Sequence, residues 1–301
     1  MALRPALDDL LELRHQARAL PIASQHLVNS TFAGVYASVF RGQGLDFEEV
    51  REYREGDDIR NVDWKVTART NEPHLKLYRE ERERSVLLCV DQGPRMQFGT
   101  RGAFKAIQAA RAAALIGWAA NRLNDRVGGI LYGGQTQHFR PTKDRRALWK
   151  LLKAMTDDAP VPTEDPTALP AALRRADRGT PTGSLVFVVG DFNLDPLALE
   201  RPLGQLTQRH TVVLVPIDDP AERTLPAIGR VLFRGPGGDL REVDTDDPAG
   251  REAYAKAWQA RRAGLQAMCI RLGVIVAPVR TDGDVHQALA RGLRRRFASP
   301  T

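Results

Sequence analysis

REYREGDDIRNVDWKVTARTNEPHLKLYREERERSVLLCVDQGPRM, residues 51–96, opens as a dense block of charge and narrows to the apolar run Ser85–Val90. It ends on a carboxylate, Asp91, followed by Gly93, Pro94 and Arg95. A run of Val and Leu without polar alternation reads as a strand covered on both faces, the habit of parallel sheets. Ligand sites of open α/β sheets lie beyond the carboxyl ends of such strands, so the spacing places Asp91 where chemistry is expected.

Working outward, the same pattern recurs. Phe98–Leu123 is Ala-rich and predicts a long helix, Arg126–Tyr132 a strand, Gly133-Gly134 a hairpin turn and Thr136–Arg140 an edge strand. A helix follows over Arg145–Met155, then the Pro- and Asp-rich loop 156–170. Leu185–Val189 is a second buried strand and ends at Gly190-Asp191-Phe192. Pro196–Gln208 reads as helix, Thr211–Val215 as strand, and Arg230–Arg234 with Leu240–Val243 as a hairpin. A helix over about Gly250–Leu272, a strand Val274–Val279 and a terminal helix Asp284–Phe297 complete the chain. Before the charged block, leucines at near-helical spacing predict an amphipathic helix over 3–20, and Gly42-Gln43-Gly44 a flexible joint. The alternation of strand and helix predicts an α/β protein with a doubly wound, mainly parallel sheet. The expected divisions are 1–84, an N-terminal helix and charged extension; 85–283, the α/β domain; and 284–301, a basic terminal helix.

Composition excludes several classes. The longest apolar runs are too short to span a bilayer and the amino terminus lacks a signal-peptide pattern, so a soluble, cytoplasmic protein is expected. The two cysteines, Cys89 and Cys269, offer neither a disulfide framework nor metal spacing and read as buried, inert thiols. Residues 251–301 hold ten Lys and Arg against three Asp and Glu, which accounts for the whole net charge of +7. Residues 51–84 hold nine of each sign, which speaks against a phosphate-binding patch and for ion pairs pinning the segment to the next domain. Asp57, Asp58 and Asp63 do not form a calcium loop, because the twelfth position counted from Asp57 is Ala68.

Asp91 and Asp191, each at a strand end, and Thr167, just before a helical pattern, place two carboxylates and a hydroxyl at one sheet edge, a set able to hold Mg²⁺. This layout resembles a von Willebrand factor A domain, whose metal site takes Asp-x-Ser-x-Ser after the first strand, a Thr from a later loop and an Asp after the fourth strand. Asp91, Thr167 and Asp191 match; Gly93 and Arg95 stand where the serines would be. Gly42-x-Gly44-x-x-Phe47, GDDIRNVDWKVTART at 56–70 and YREERE at 78–83 are similar to the bacterial Domain of Unknown Function number 58 family. That resemblance implies a MoxR-type AAA+ ATPase as partner, and no settled enzymatic activity.

Losing two hydroxyl ligands lowers metal affinity, and a guanidinium at Arg95 is able to take the cation's place between Asp91 and Asp191 through bidentate bonds. Arg95 pointing to solvent is equally compatible with the sequence. The expectation is a non-enzymatic interaction module and adaptor without cofactor or metal, its adhesion site degenerate. Its binding edge is Asp91, Gly93, Arg95, Thr167 and Asp191, and Asp57, Asp58, Arg60, Asp63, Trp64 and Arg69 are interaction residues. The alternatives are a Mg²⁺-dependent binding module, nucleic-acid binding through Arg291, Arg294, Arg295 and Arg296, and a hydrolase using Asp57, Asp58 or Asp63. The six histidines lack any paired catalytic or metal spacing, and neither a phosphate loop nor a nucleophile elbow is present.

Overall fold

Four largely apolar runs lie side by side in the larger unit, each buried on both faces along most of its length. The computed structural model describes residues 4–20, 45–53, 62, 64–70, 72–80, 84–157, 163–235 and 239–294. The chain divides into two units, one of residues 1–27 with 84–301 and one of residues 28–83.

Along the chain, α1 (Leu7–Glu12) precedes β1 (Leu45–Glu52), α2 (Trp64–Thr70) and β2 (His74–Glu80). Then come β3 (Ser85–Asp91), α3 (Lys105–Arg122), β4 (Arg126–Tyr132), β5 (Gln137–Thr142), α4 (Arg145–Thr156) and α5 (Ala168–Gly179). The rest is β6 (Leu185–Gly190), α6 (Pro196–Thr207), β7 (Thr211–Asp218), α7 (Pro220–Arg223), the hairpin β8 (Arg230–Arg234) and β9 (Leu240–Asp244), α8 (Pro248–Leu272), β10 (Ile275–Val276), β11 (Val279–Arg280) and α9 (Val285–Arg294).

In the larger unit the strands are ordered β5-β4-β3-β6-β7-β10, with β11 continuing alongside β7. All neighbours are parallel except the β4–β5 edge pair. This is the doubly wound, mainly parallel sheet that the alternation predicts, and it has the strand order of a von Willebrand factor A-like fold. Successive residues of β3 face opposite ways, so Val86, Leu88 and Val90 enter one core and Leu87 and Cys89 the other. The first core is filled from α1, α3, α4 and α9, the second from α5, α6 and α8. Cys89 and Cys269 are free and buried; burial pushes their thiols up to about 12 and about 11.

Three helices start on the same local device. Asp195, Asp219 and Asp247 each precede a proline and accept a backbone N–H from the first turn, an oxygen cap with a preorganised first residue.

The structure departs from the sequence reading where distant groups capture the backbone. The predicted 3–20 helix is α1 plus a short 3-10 turn over Gln16–Ala19. The Trp118 indole donates to the Leu10 carbonyl at 2.9 Å. The next bonds are the tighter ones from Arg14 to Leu11 and from His15 to Glu12. Leu10, Ala17 and Leu20 nevertheless join the first core, so this segment packs with the sheet. The helix expected from Phe98 starts at Lys105, because Thr100 is held by Asp219 through its N–H at 2.8 Å and its hydroxyl at 2.5 Å. Strand β7 runs past Pro216 to Asp218, and the predicted last strand is split into β10 and β11 around Ala277-Pro278.

The smaller unit pairs β1 antiparallel to β2 with a bulge between Phe47 and Glu49, and α2 joins them. The joint at Gly42–Gly44 and the acids Asp57, Asp58 and Asp63 lie outside the described residues, as does Arg60.

Candidate functional site

From β3 the chain adds β4 and β5 on one side, then crosses to β6 and β7 on the other. The carboxyl ends of β3 and β6 therefore flank the point where the order reverses, the crevice in which doubly wound sheets bind ligands. Asp91 is the last residue of β3 and Asp191 the first after β6, so these two sequence-predicted acids come together at adjacent strand ends.

Asp91 is seated among glycines. Its Oδ1 accepts the Gly93 N–H at 2.7 Å. A methyl group built on Gly133, where φ is +82°, would stand 2.5 Å from that oxygen, and one on Gly190 3.2 Å from the Asp91 Cβ. Only glycine leaves room for the carboxyl there, and at Gly133 only glycine adopts the backbone without strain. Burial pushes the Asp91 carboxyl up to about 7; the Gly93 N–H opposes the shift, Asp191 adds to it, and Lys105 and Arg95 oppose it.

Asp191 is buried, and its Oδ1 accepts the Asn193 N–H at 2.9 Å. Its Oδ2 has no hydrogen-bond partner and lies 3.6 Å from the Lys105 ammonium. Lys105 is the first residue of α3 and 1 % exposed, a costly place for a charge unless it is paired. It is paired with Glu222, and the Phe98 ring lies 5.7 Å from its Nζ. Glu222 in turn accepts the Asp219 N–H at 3.1 Å, and Asp219 accepts the hydroxyls of Thr100 and Thr281. Arg262 of α8 closes the far side: it donates to the Asp191 carbonyl at 2.8 Å and pairs with Asp218 at the end of β7.

Arg95 does not bridge the two acids. Its guanidinium pairs with Glu164 and donates to the Asn193 carbonyl, tying the loop before α5 to the edge. The cation beside Asp191 is Lys105. Thr167 is exposed and its hydroxyl donates to Asp165 at 2.7 Å, so the loop reaches the edge through Glu164. Of the other interaction residues, Trp64 is 67 % exposed and Arg69 is exposed, both on α2 of the smaller unit.

The donor set does not fit the divalent metal that a von Willebrand factor A-like layout implies. Gly93 and Arg95 supply no side-chain oxygen, the Thr167 hydroxyl is engaged elsewhere, and an ammonium already stands against Asp191. Among the described residues no group of three or more His, Cys, Asp or Glu is arranged to hold a metal. The sequence reading missed Lys105, Asp218, Asp219, Glu222 and Arg262. One local signal was present: a lysine at the first position of a helix works against the dipole and needs a reason from elsewhere.

Fold and edge together define a von Willebrand factor A-like domain with an internal cation at its switch point. The model of the family described as "Protein of unknown function DUF58" matches residues 49–264, and the chain belongs to that family. An uncharacterized protein of Mycobacterium tuberculosis is 31 % identical over 287 residues, spanning 94 % of this chain and 89 % of its own length. Among solved structures, BatB from Bacteroides thetaiotaomicron is 17 % identical with a TM-score of 0.42, spanning 72 % of this chain and 100 % of that one. A von Willebrand factor type A protein from Catenulispora acidiphila is 12 % identical with a TM-score of 0.38, spanning 73 % and 44 %. No described helix is long and apolar enough to cross a membrane.

Proposed function

We propose that this protein is a non-enzymatic protein-interaction module, and an adaptor for a MoxR-type AAA+ ATPase, working through a degenerate metal-ion-dependent adhesion site. The observation that carries the reading is the Lys105 ammonium set between Glu222 and Asp191. A metal-dependent edge binds its partner by letting the partner's carboxylate complete the coordination. Here the positive charge belongs to the protein, and the edge is preorganised without an ion.

Exposed apolar side chains accompany that ionic centre. Phe98 follows β3, Leu197 lies in the first turn of α6, and Ile228 follows β7 and α7, all on segments that come after the carboxyl ends of strands. An ionic centre with apolar surroundings suits recognition of another protein. The Asp91 carboxyl is pushed up to about 7 by burial, and the cysteine on its strand, Cys89, is buried with its thiol pushed up to about 12, which leaves it protonated and a poor nucleophile. The ATPase partner rests on the family resemblance alone.

The test is affinity capture with the full chain from its native cell, with ATP and with a non-hydrolysable analogue, comparing wild type with Arg95→Glu. Recovery of a MoxR-type ATPase by wild type and its loss in the variant supports the reading. Recovery of nucleic acid alone, or equal recovery by the variant, contradicts it.

A further inference from the structure

The amino-terminal edge of the sheet, opposite Asp91 and Asp191, carries a second constellation. Two adjoining clefts meet at Gly179. One, of about 440 Å³, is lined by Ala171, Arg174, Arg175, Arg178 and Gly179. The other, of about 330 Å³, is lined by Ser85, Arg126, His138, Arg140, Pro141, Gly179 and Pro181. Five arginines line the pair and no acid does.

Exposed arginines ordinarily find carboxylates or helix carbonyls. At the end of α5 the helix dipole favours Arg178, but Arg140 belongs to β5. Among the described residues Arg140, Arg174, Arg175 and Arg178 make no hydrogen bond or ion pair. Asp177, next in sequence to Arg178, is engaged by Arg209. The local field is felt by His138, whose imidazole is held below its usual range by burial and then by Arg175 and Arg140.

We propose that these joined clefts bind a small molecule carrying two or three phosphates. Guanidinium forks match phosphate oxygens in pairs, and four unpartnered guanidiniums call for more negative charge than one carboxylate brings. Both volumes lie in the range of small-ligand sites, and Ala171, Pro141 and Pro181 provide apolar wall for the rest of the ligand. Five arginines lining two adjoining clefts favour a compact anion over an extended nucleic-acid backbone. The site is independent of the adaptor reading, since it lies at the other end of the strands.

Inorganic pyrophosphate is the probe, titrated into the full chain by calorimetry at fixed ionic strength, with citrate and a short DNA duplex as comparators. Saturable pyrophosphate binding, tighter than citrate binding and weakened about ten-fold or more in Arg175→Gln/Arg178→Gln, supports the proposal. Gly179→Asp is a second variant: its Cβ meets only the His138 ring, at 3.7 Å, so the substitution places an acid in the shared wall without a clash. It also abolishes binding, with an unchanged thermal midpoint. Equal affinity for citrate, binding that survives both variants, or binding of the duplex but not of pyrophosphate overturns it.

Discussion

Replacing Asp91 by Asn stabilises the protein above neutral pH and does nothing of the kind in acid. The folded carboxyl sits at about 7 against an ordinary value of 3.8. An acid whose pKa is raised on folding favours the folded state while protonated. Its contribution is complete below about pH 4 and is lost as the pH rises toward about 7. A rise from 3.8 to about 7 corresponds to about 4 kcal/mol as an upper bound; because the residue is partly exposed, solvent screening brings the realised penalty to about 1–3 kcal/mol. Asparagine keeps an oxygen for the Gly93 N–H at 2.7 Å and carries no charge to penalise. Urea unfolding followed by circular dichroism at a series of pH values tests this. Asp91→Asn gains roughly 1–3 kcal/mol over wild type at about pH 8, and the gain closes by about pH 4. A variant that is less stable at high pH, or an offset independent of pH, refutes the assignment of a strained charge to this position.

Lys105→Met leaves Glu222 and Asp191 without their cation and costs about 3–5 kcal/mol in the same assay. Adding Glu222→Gln recovers part of that loss, and strict additivity would show that the two side chains are not coupled. Gly133→Ala costs at least about 1–3 kcal/mol, from its positive φ and from the 2.5 Å approach of the new methyl to Asp91 Oδ1. Cys89 and Cys269, buried and with raised thiol pKa values, are labelled by a thiol reagent at about pH 8 only as fast as the protein opens; rapid native labelling would contradict their burial.

The sheet was legible because its information is local. Ser85–Val90 and Leu185–Val189 have no polar alternation, and such runs have few places to go other than the middle of a parallel sheet. The acids at their ends were legible for the same reason, since a strand end fixes where the next side chain emerges. The internal cation was not, because Lys105 meets Asp191 and Glu222 only once α3 has packed on the sheet and β7 has passed Pro216. The strand read from the sequence stops at Val215, whereas β7 runs on to Asp218, and the shorter span left Asp218 and Asp219 off the edge they help to build. Arg95 looked like the substitute cation because it stands where the resemblance places the second serine of the metal motif. Its guanidinium is instead taken by Glu164 and the Asn193 carbonyl, partners that no local pattern reveals. The early end of α1 has the same origin: an indole from α3 takes a carbonyl that helical periodicity assigns to the helix.

The most direct measurement is the thermal midpoint of the wild-type chain as Mg²⁺ is raised to millimolar concentration at constant ionic strength. With an ammonium already against Asp191, the midpoint stays where it is. A rise that saturates with Mg²⁺, as preferential binding to the folded state requires, would mean that a metal and not Lys105 completes this edge.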